Sequence, residues 1–140
     1  MADKPQKTYP PTLVPHILLG EAAGEGPEGL AMVADTLWNR AHALGKTLEE
    51  VATAPSQFSA ATRPDLDEFA EQQPLDLRVL ANELVAERRN PKFQPSHPYQ
   101  HYVATALWER RGTLPANHWL RKMRKVGQVG NHVLLEEVPH

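Results

Sequence analysis

Cysteine is absent from this 140-residue chain. That excludes a disulfide framework, a thiolate-bound zinc or iron–sulfur site and a cysteine nucleophile. Long apolar runs are missing too, so no segment reads as a membrane span. The polar, Pro- and Lys-containing start, Met1 to Pro11, has no apolar core of signal-peptide length. Charge of one sign is not in excess: 15 Lys and Arg face 17 Asp and Glu, for a formal net charge of −2. A duplex nucleic-acid partner, which needs a broad basic surface, is not expected. Neither a Gly-x-Ser-x-Gly elbow, a phosphate loop, a dinucleotide motif nor a His-Glu-x-x-His pair occurs.

What is present is an ordinary globular composition, 41% hydrophobic, in a chain long enough to bury a core without a staple. Residues 1–11, broken by Pro5, Pro10 and Pro11, read as a flexible lead, and residues 12–138 as a single domain. Thr12 reads as the N-cap of a short helix through Ile17, Leu18 and Leu19, weakened at Gly20 and ended by Gly24, Gly26 and Pro27. Pro27 then suits the first turn of a long helix, in which Leu30, Val33, Ala34, Leu37, Trp38 and Ala41 keep the helical period up to Gly45. Thr47-Leu48-Glu49-Glu50 is a capping box. Residues 55–64 read as a loop. A second long helix follows Pro74, with Leu77, Leu80, Ala81 and Leu84 as its buried stripe, closed by Asn90-Pro91. Pro91, Pro95 and Pro98 mark an extended linker, Tyr99 to Leu107 has strand character, and Leu114 to Met123 offers a helical turn. Val126 to Leu135, with Gly127 and Gly130, reads as a small β-hairpin. The expected class is α+β, mainly helical.

Candidate chemistry gathers in Gly20-Glu21-Ala22-Ala23-Gly24-Glu25-Gly26, where an apolar helix gives way to glycines. Glu21 follows three apolar residues, and a partly dry setting disfavours the charged carboxylate, the condition a general acid needs. The competing reading makes Glu21 and Glu25 solvated helix-end charges. His97, His101, His118 and His132 supply enough imidazole for a metal site. Pro98, however, keeps His97 and His101 from sharing a helical face, and hydrogen-bonding roles are the simpler expectation. Tyr99, Tyr102, Trp108 and Trp119 are either packing residues or platforms for sugar rings. Gln57, on a proline-bounded loop, has the donor and acceptor that an acetamido group requires.

Taken in order, these segments resemble the SleB-type cell-wall hydrolase family, which contains the spore-cortex lytic enzymes. The resemblance runs through Gly20-Glu21-Ala22-Ala23-Gly24-Glu25, Glu28-Gly29, Ala31 to Ala34 and Leu37-Trp38-Asn39-Arg40. It continues in Gln57-Phe58-Ser59, His101-Tyr102, Trp119 and Gly130-Asn131-His132-Val133, covering about residues 17–135. The family pattern is departed from at three places. Ala23 stands where arginine is frequent, Pro98-Tyr99-Gln100 replaces a small-residue lead into the strand, and Leu134 replaces an aromatic. The family implies a lysozyme-like, lytic-transglycosylase-like fold, with Glu21 at a helix end facing a glycan groove. It implies cleavage between N-acetylmuramic acid and N-acetylglucosamine by Glu21 as acid and then base, with no metal or other cofactor. Glu25, Gln57, Phe58, Ser59, His101, Tyr102, Trp119 and His132 are the residues it places in support of Glu21 or along the groove.

The expected partner is therefore the peptidoglycan glycan strand, met by a monomer that does not insert in a membrane. Without signal or cysteine, the chain fits a phage lysin or virion component, made in a host cytoplasm and acting on the wall, better than a spore enzyme. Two other classes stand beside this one. A metal-dependent amidase or peptidase would use the histidines on the stem peptide, and a wall-binding module would do no chemistry at all.

Overall fold

The structure is a computed structural model that describes residues 8–54 and 58–138. Helix α1 (Leu13–Ala22) is the centre of the fold. Its Val14, Ile17, Leu18, Leu19 and Ala22 are almost fully buried, an all-round apolar pattern that only an interior helix tolerates. It runs straight through Gly20 to Ala22, and the reason is packing. A Cβ on Gly20 would stand 2.7 Å from the Ala60 Cβ and 3.0 Å from Leu66 Cδ1, so the missing side chain admits two neighbouring segments. Thr12 holds the N-cap position, but its backbone is helical and its side chain makes no capping bond.

A single 3-10 turn, Ala23–Glu25, joins α1 to α2 (Gly26–Leu44), with Pro27 in the first turn and Gly45 closing the end at φ 65°. Helix α3 (Leu48–Thr53) opens on the predicted capping box, with both reciprocal bonds between Thr47 and Glu50 made. The segment predicted as loop holds a 3-10 turn, Ser59–Thr62, and is followed by a helix, α4 (Leu66–Glu71), that the periodicity does not reveal. Six residues are too few for a 3.6-residue period to declare itself. Helix α5 (Leu75–Arg88) buries Ala81, Leu84 and Val85 fully, while Leu77 and Leu80 are half-buried. Around α1, helices α2, α3, α4 and α5 all make contact. Among the described residues no helix is long and apolar enough to cross a membrane.

Strand β1 (His101–Ala104) leads into the short helix α6 (Thr105–Glu109). The turn expected within Leu114 to Met123 is a 3-10 turn at Trp119–Lys122. Strands β2 (Met123–Val129) and β3 (His132–Glu137) form the predicted hairpin, with β3 also pairing antiparallel to β1. The hairpin is thus two-thirds of a three-stranded sheet in the order β1-β3-β2. The chain is mainly helical α+β, with this antiparallel sheet at its C-terminal end. Central β3 is covered on both faces: Leu134 joins the helical core, while Val133 and Leu135 pack with Val103, Leu120 and Met123. That explains an unbroken Val-Leu-Leu run where a half-exposed strand would alternate.

The link between helical core and sheet is polar and buried. Asp35, Asn39 and Arg40 lie on α2 with no more than 8% of their surface exposed. Asp35 accepts from Arg88 Nη2 at 2.6 Å and from the Ser96 hydroxyl at 2.5 Å. Asn39 Nδ2 donates to the carbonyls of His97 (2.7 Å) and Tyr99 (2.9 Å), and Arg40 Nε donates to that of Gln100 (3.1 Å). A proline-rich segment cannot hydrogen-bond itself into a helix or an inner strand, so α2 supplies the donors. It thereby fixes where residues 97–100 run and where β1 begins.

Candidate functional site

The C-terminal end of α1 places Glu21 beside three other segments. Tyr102, on β1, donates its hydroxyl to Glu21 Oε1 at 3.0 Å. Ser59, opening the 3-10 turn, donates to Oε2 at 3.3 Å. His132, on β3, donates Nε2–H to the Glu21 backbone carbonyl at 3.1 Å, and that carbonyl partner fixes the Nε2–H tautomer. The His132 ring also meets the Tyr102 ring edge-on, centroids 5.0 Å apart. Residues 59, 102 and 132, all selected from the sequence together with Glu21, thus converge on that residue, two on its carboxyl group and His132 on its backbone carbonyl. The last turn of α1 contains no basic residue, so an acidic side chain opposes the helix dipole there, at a cost of about 0.3–1 kcal/mol. A local rule broken at the centre of a polar cluster makes that cluster the candidate site.

Burial pushes the Tyr102 phenol well above its ordinary value, with the Glu21 charge and the hydrogen bond to it adding to the rise and Arg40 opposing it. Its hydroxyl therefore stays protonated and donating throughout the neutral range. Phe58 is 2% exposed and cannot line a groove. It acts from beneath, with the Arg40 guanidinium 5.2 Å over its ring and Tyr102 at 6.3 Å. Gln57 lies outside the described residues.

Glu25 occupies a different niche from Glu21. Its Oε2 accepts the backbone N–H of Asn131 at 2.8 Å, in the two-residue turn between β2 and β3. Gly29 and Gly130 crowd it: a Cβ on either glycine would overlap the Glu25 side chain, and Gly130 also sits at φ 54°. Glu25 is thus a clasp tying the sheet's turn, and with it His132, to the start of α2. Gly130→Ala is expected to destabilise the protein by about 2–3 kcal/mol, from left-handed strain and the loss of this bond. Urea unfolding checks it, and in Glu25→Ala/Gly130→Ala the glycine substitution should cost about half as much. An equal cost in both backgrounds would mean that the clasp is not under load.

Next to Tyr102 opens a cavity of about 520 Å³, within the range of small-molecule sites. Arg40, His101, Tyr102, Trp119, Lys122 and Glu137 are on its wall. Trp119 is 47% exposed, its ring centroid 5.9 Å from that of His101. Burial, then the Arg40 charge, pull the His101 imidazole below its ordinary value, against a smaller opposite pull from Glu137. A neutral imidazole that both donates and accepts is the result. Arg40, Lys122 and Glu137 did not emerge from the sequence as site residues. Arg40 carried a signal, a charged residue beside the apolar stripe of a long helix, whereas the other two carried none.

The other two candidate histidines, His97 and His118, bond to the backbone. His97 donates from Nε2 to the Met32 carbonyl (3.3 Å) and accepts the Tyr99 N–H (3.0 Å). His118 accepts the Leu120 N–H at 3.1 Å. Among the described residues no three His, Asp or Glu side chains converge as metal ligands would. The site can therefore offer one hydroxyl-braced carboxyl group, a neutral imidazole and an aromatic-edged cavity. No family model, curated protein or solved structure matches the chain.

Proposed function

We propose that this protein is a lysozyme-like enzyme of the SleB type that cuts peptidoglycan glycan strands as a lytic transglycosylase, with Glu21 as acid and base. The observation that carries this reading is the Glu21 carboxyl group at a helix end, braced on both oxygens by the hydroxyls of Tyr102 and Ser59. A two-carboxylate glycosidase needs a second free acid facing the first. Glu25, the nearest acid in sequence, is instead committed to the Asn131 N–H.

One carboxyl group suffices where the substrate supplies its own nucleophile. Glu21 gives its proton to the oxygen linking N-acetylmuramic acid to N-acetylglucosamine, and the bond to the muramic C1 breaks with the electron pair leaving on that oxygen. The Glu21 carboxylate then takes the proton of the muramic 6-hydroxyl as O6 bonds to C1. Products are a free 4-hydroxyl on the leaving sugar and a 1,6-anhydromuramic end, and Glu21 is protonated again. Tyr102 and Ser59 hold the carboxyl oxygens in place through both proton transfers, and His132 holds the backbone behind them.

Digestion of purified sacculi, with mass spectrometry of the soluble products, tests the reading. Anhydromuropeptides are expected. Reducing muramic ends would keep Glu21 as acid and replace the 6-hydroxyl by water, making the enzyme a muramidase. Freed stem peptides with intact strands would overturn the proposal in favour of amide-bond cleavage.

A further inference from the structure

The near-neutral net charge conceals a segregation. Between residues 105 and 135 the basic residues are Arg110, Arg111, Arg121, Lys122, Arg124 and Lys125, and the only acid is Glu109. That stretch carries +5, so the rest of the chain carries −7. All six cations are exposed, and five have intramolecular work. Arg110 donates to the Ala106 carbonyl, and Arg111 lies 4.1 Å over the Trp108 ring. Arg121 donates to the carbonyls of Gly112 and Leu114. Arg124 pairs with Glu136, and Lys125 donates to Gln128. Lys122 is the exception: its ammonium has no partner among the described residues, and it stands on the cavity wall with Trp119.

An unpartnered ammonium beside an exposed indole is a recognition pair for a sugar that carries an anion. Arg40 adds positive charge from the buried side of the same cavity, and Glu137 is the one acid on the wall. The cavity shares Tyr102 with Glu21, so its occupant is contiguous with a strand lying at the Glu21 carboxyl. We infer that this cavity is a subsite for a carboxylate-bearing amino sugar, the ring against Trp119 and the carboxylate on Lys122. The inference rests on the glycan-strand reading and names the part of the strand that this site selects. Muramic acid offers such a carboxylate in two forms, the free lactyl group and the acidic peptide attached to it.

Titration calorimetry with three soluble probes tests it: chitobiose, the unsubstituted N-acetylglucosaminyl-N-acetylmuramic acid disaccharide, and the same disaccharide bearing an acidic tetrapeptide. The wild type is expected to bind at least one carboxylate-bearing probe about tenfold more tightly than chitobiose. Lys122→Met should abolish that difference and leave chitobiose unchanged, while Trp119→Ala weakens all three. Whichever muramic probe loses affinity in Lys122→Met identifies the lactyl group or the peptide as the carboxylate recognised. Equal binding of all three probes by the wild type, or a Lys122→Met protein that keeps the preference, overturns the inference. Sacculus digestion run on the same proteins separates the two claims. Strand cleavage without the preference removes the subsite alone, and a Lys122-dependent preference without cleavage removes the enzyme and keeps the subsite.

Discussion

Glu21→Gln is expected to lower glycan-strand cleavage by about a thousandfold, the order that a positioned general acid contributes. The amide is close to isosteric. Its carbonyl oxygen can still accept from Tyr102 as the carboxylate does at Oε1, and only the weaker Ser59 bond at Oε2 is put at risk. The His132 bond goes to the backbone carbonyl and is untouched. The variant should therefore melt within a few degrees of the wild type while losing its chemistry. Release of soluble muropeptides from sacculi, followed over time for both proteins, gives the rate ratio. Equal rates would remove Glu21 from the reaction, since no other role of this side chain predicts a large kinetic loss with the fold intact.

The second large effect is on stability. Asp35→Ala should destabilise the protein by about 3–5 kcal/mol, because the Arg88 guanidinium, 6% exposed, would be left buried without its counter-charge. The Ser96 hydroxyl and N–H would lose their acceptor as well. For a chain of this size that corresponds to a fall of about 10–15 °C in Tm, measurable by circular dichroism. Replacing both partners, as in Asp35→Leu/Arg88→Met, should restore more than half of the loss, because the desolvated charges are then gone together. A double variant as unstable as the single one would mean that the α2–α5 pair is needed for shape rather than charge. Activity is a further readout. Asp35 anchors residue 96 just ahead of the segment held by Asn39 and Arg40, so a loosened Asp35 should also loosen the approach of Tyr102 to Glu21.

The site residues were legible in the sequence to different depths. Glu21 was marked by its placement, an acid where an apolar helix meets glycines. Ser59, Tyr102 and His132 could be grouped with it only by resemblance of ordered motifs, since nothing local says that residues 38, 81 and 111 positions away will meet it. Phe58 shows the limit of that grouping: a residue adjacent to a site in sequence is buried beneath it in space. The cavity shows a second limit. Lys122 is one lysine among exposed cations until the tertiary structure reveals that its neighbours are partnered and that, among the described residues, it is not.

The two long helices, the capping box at Thr47, the stop at Gly45 and the C-terminal hairpin were fixed by local chemistry: period, cap and turn residues act over a few positions and need no partner. The mainly helical α+β class followed from them. Only the tertiary structure decided that α1 continues through Gly20, because the cause is an Ala60 that lies 40 residues further along the chain. It alone decided that β1 joins the hairpin, because a four-residue strand has too little pattern to announce its partner. It alone assigned the polar residues of α2 to the interior, where Asp35, Asn39 and Arg40 grip a proline-rich segment that has no regular structure of its own. Period identifies which face of a helix is apolar. Whether a polar residue beside that face meets water or a distant carbonyl depends on chain segments that local sequence does not encode.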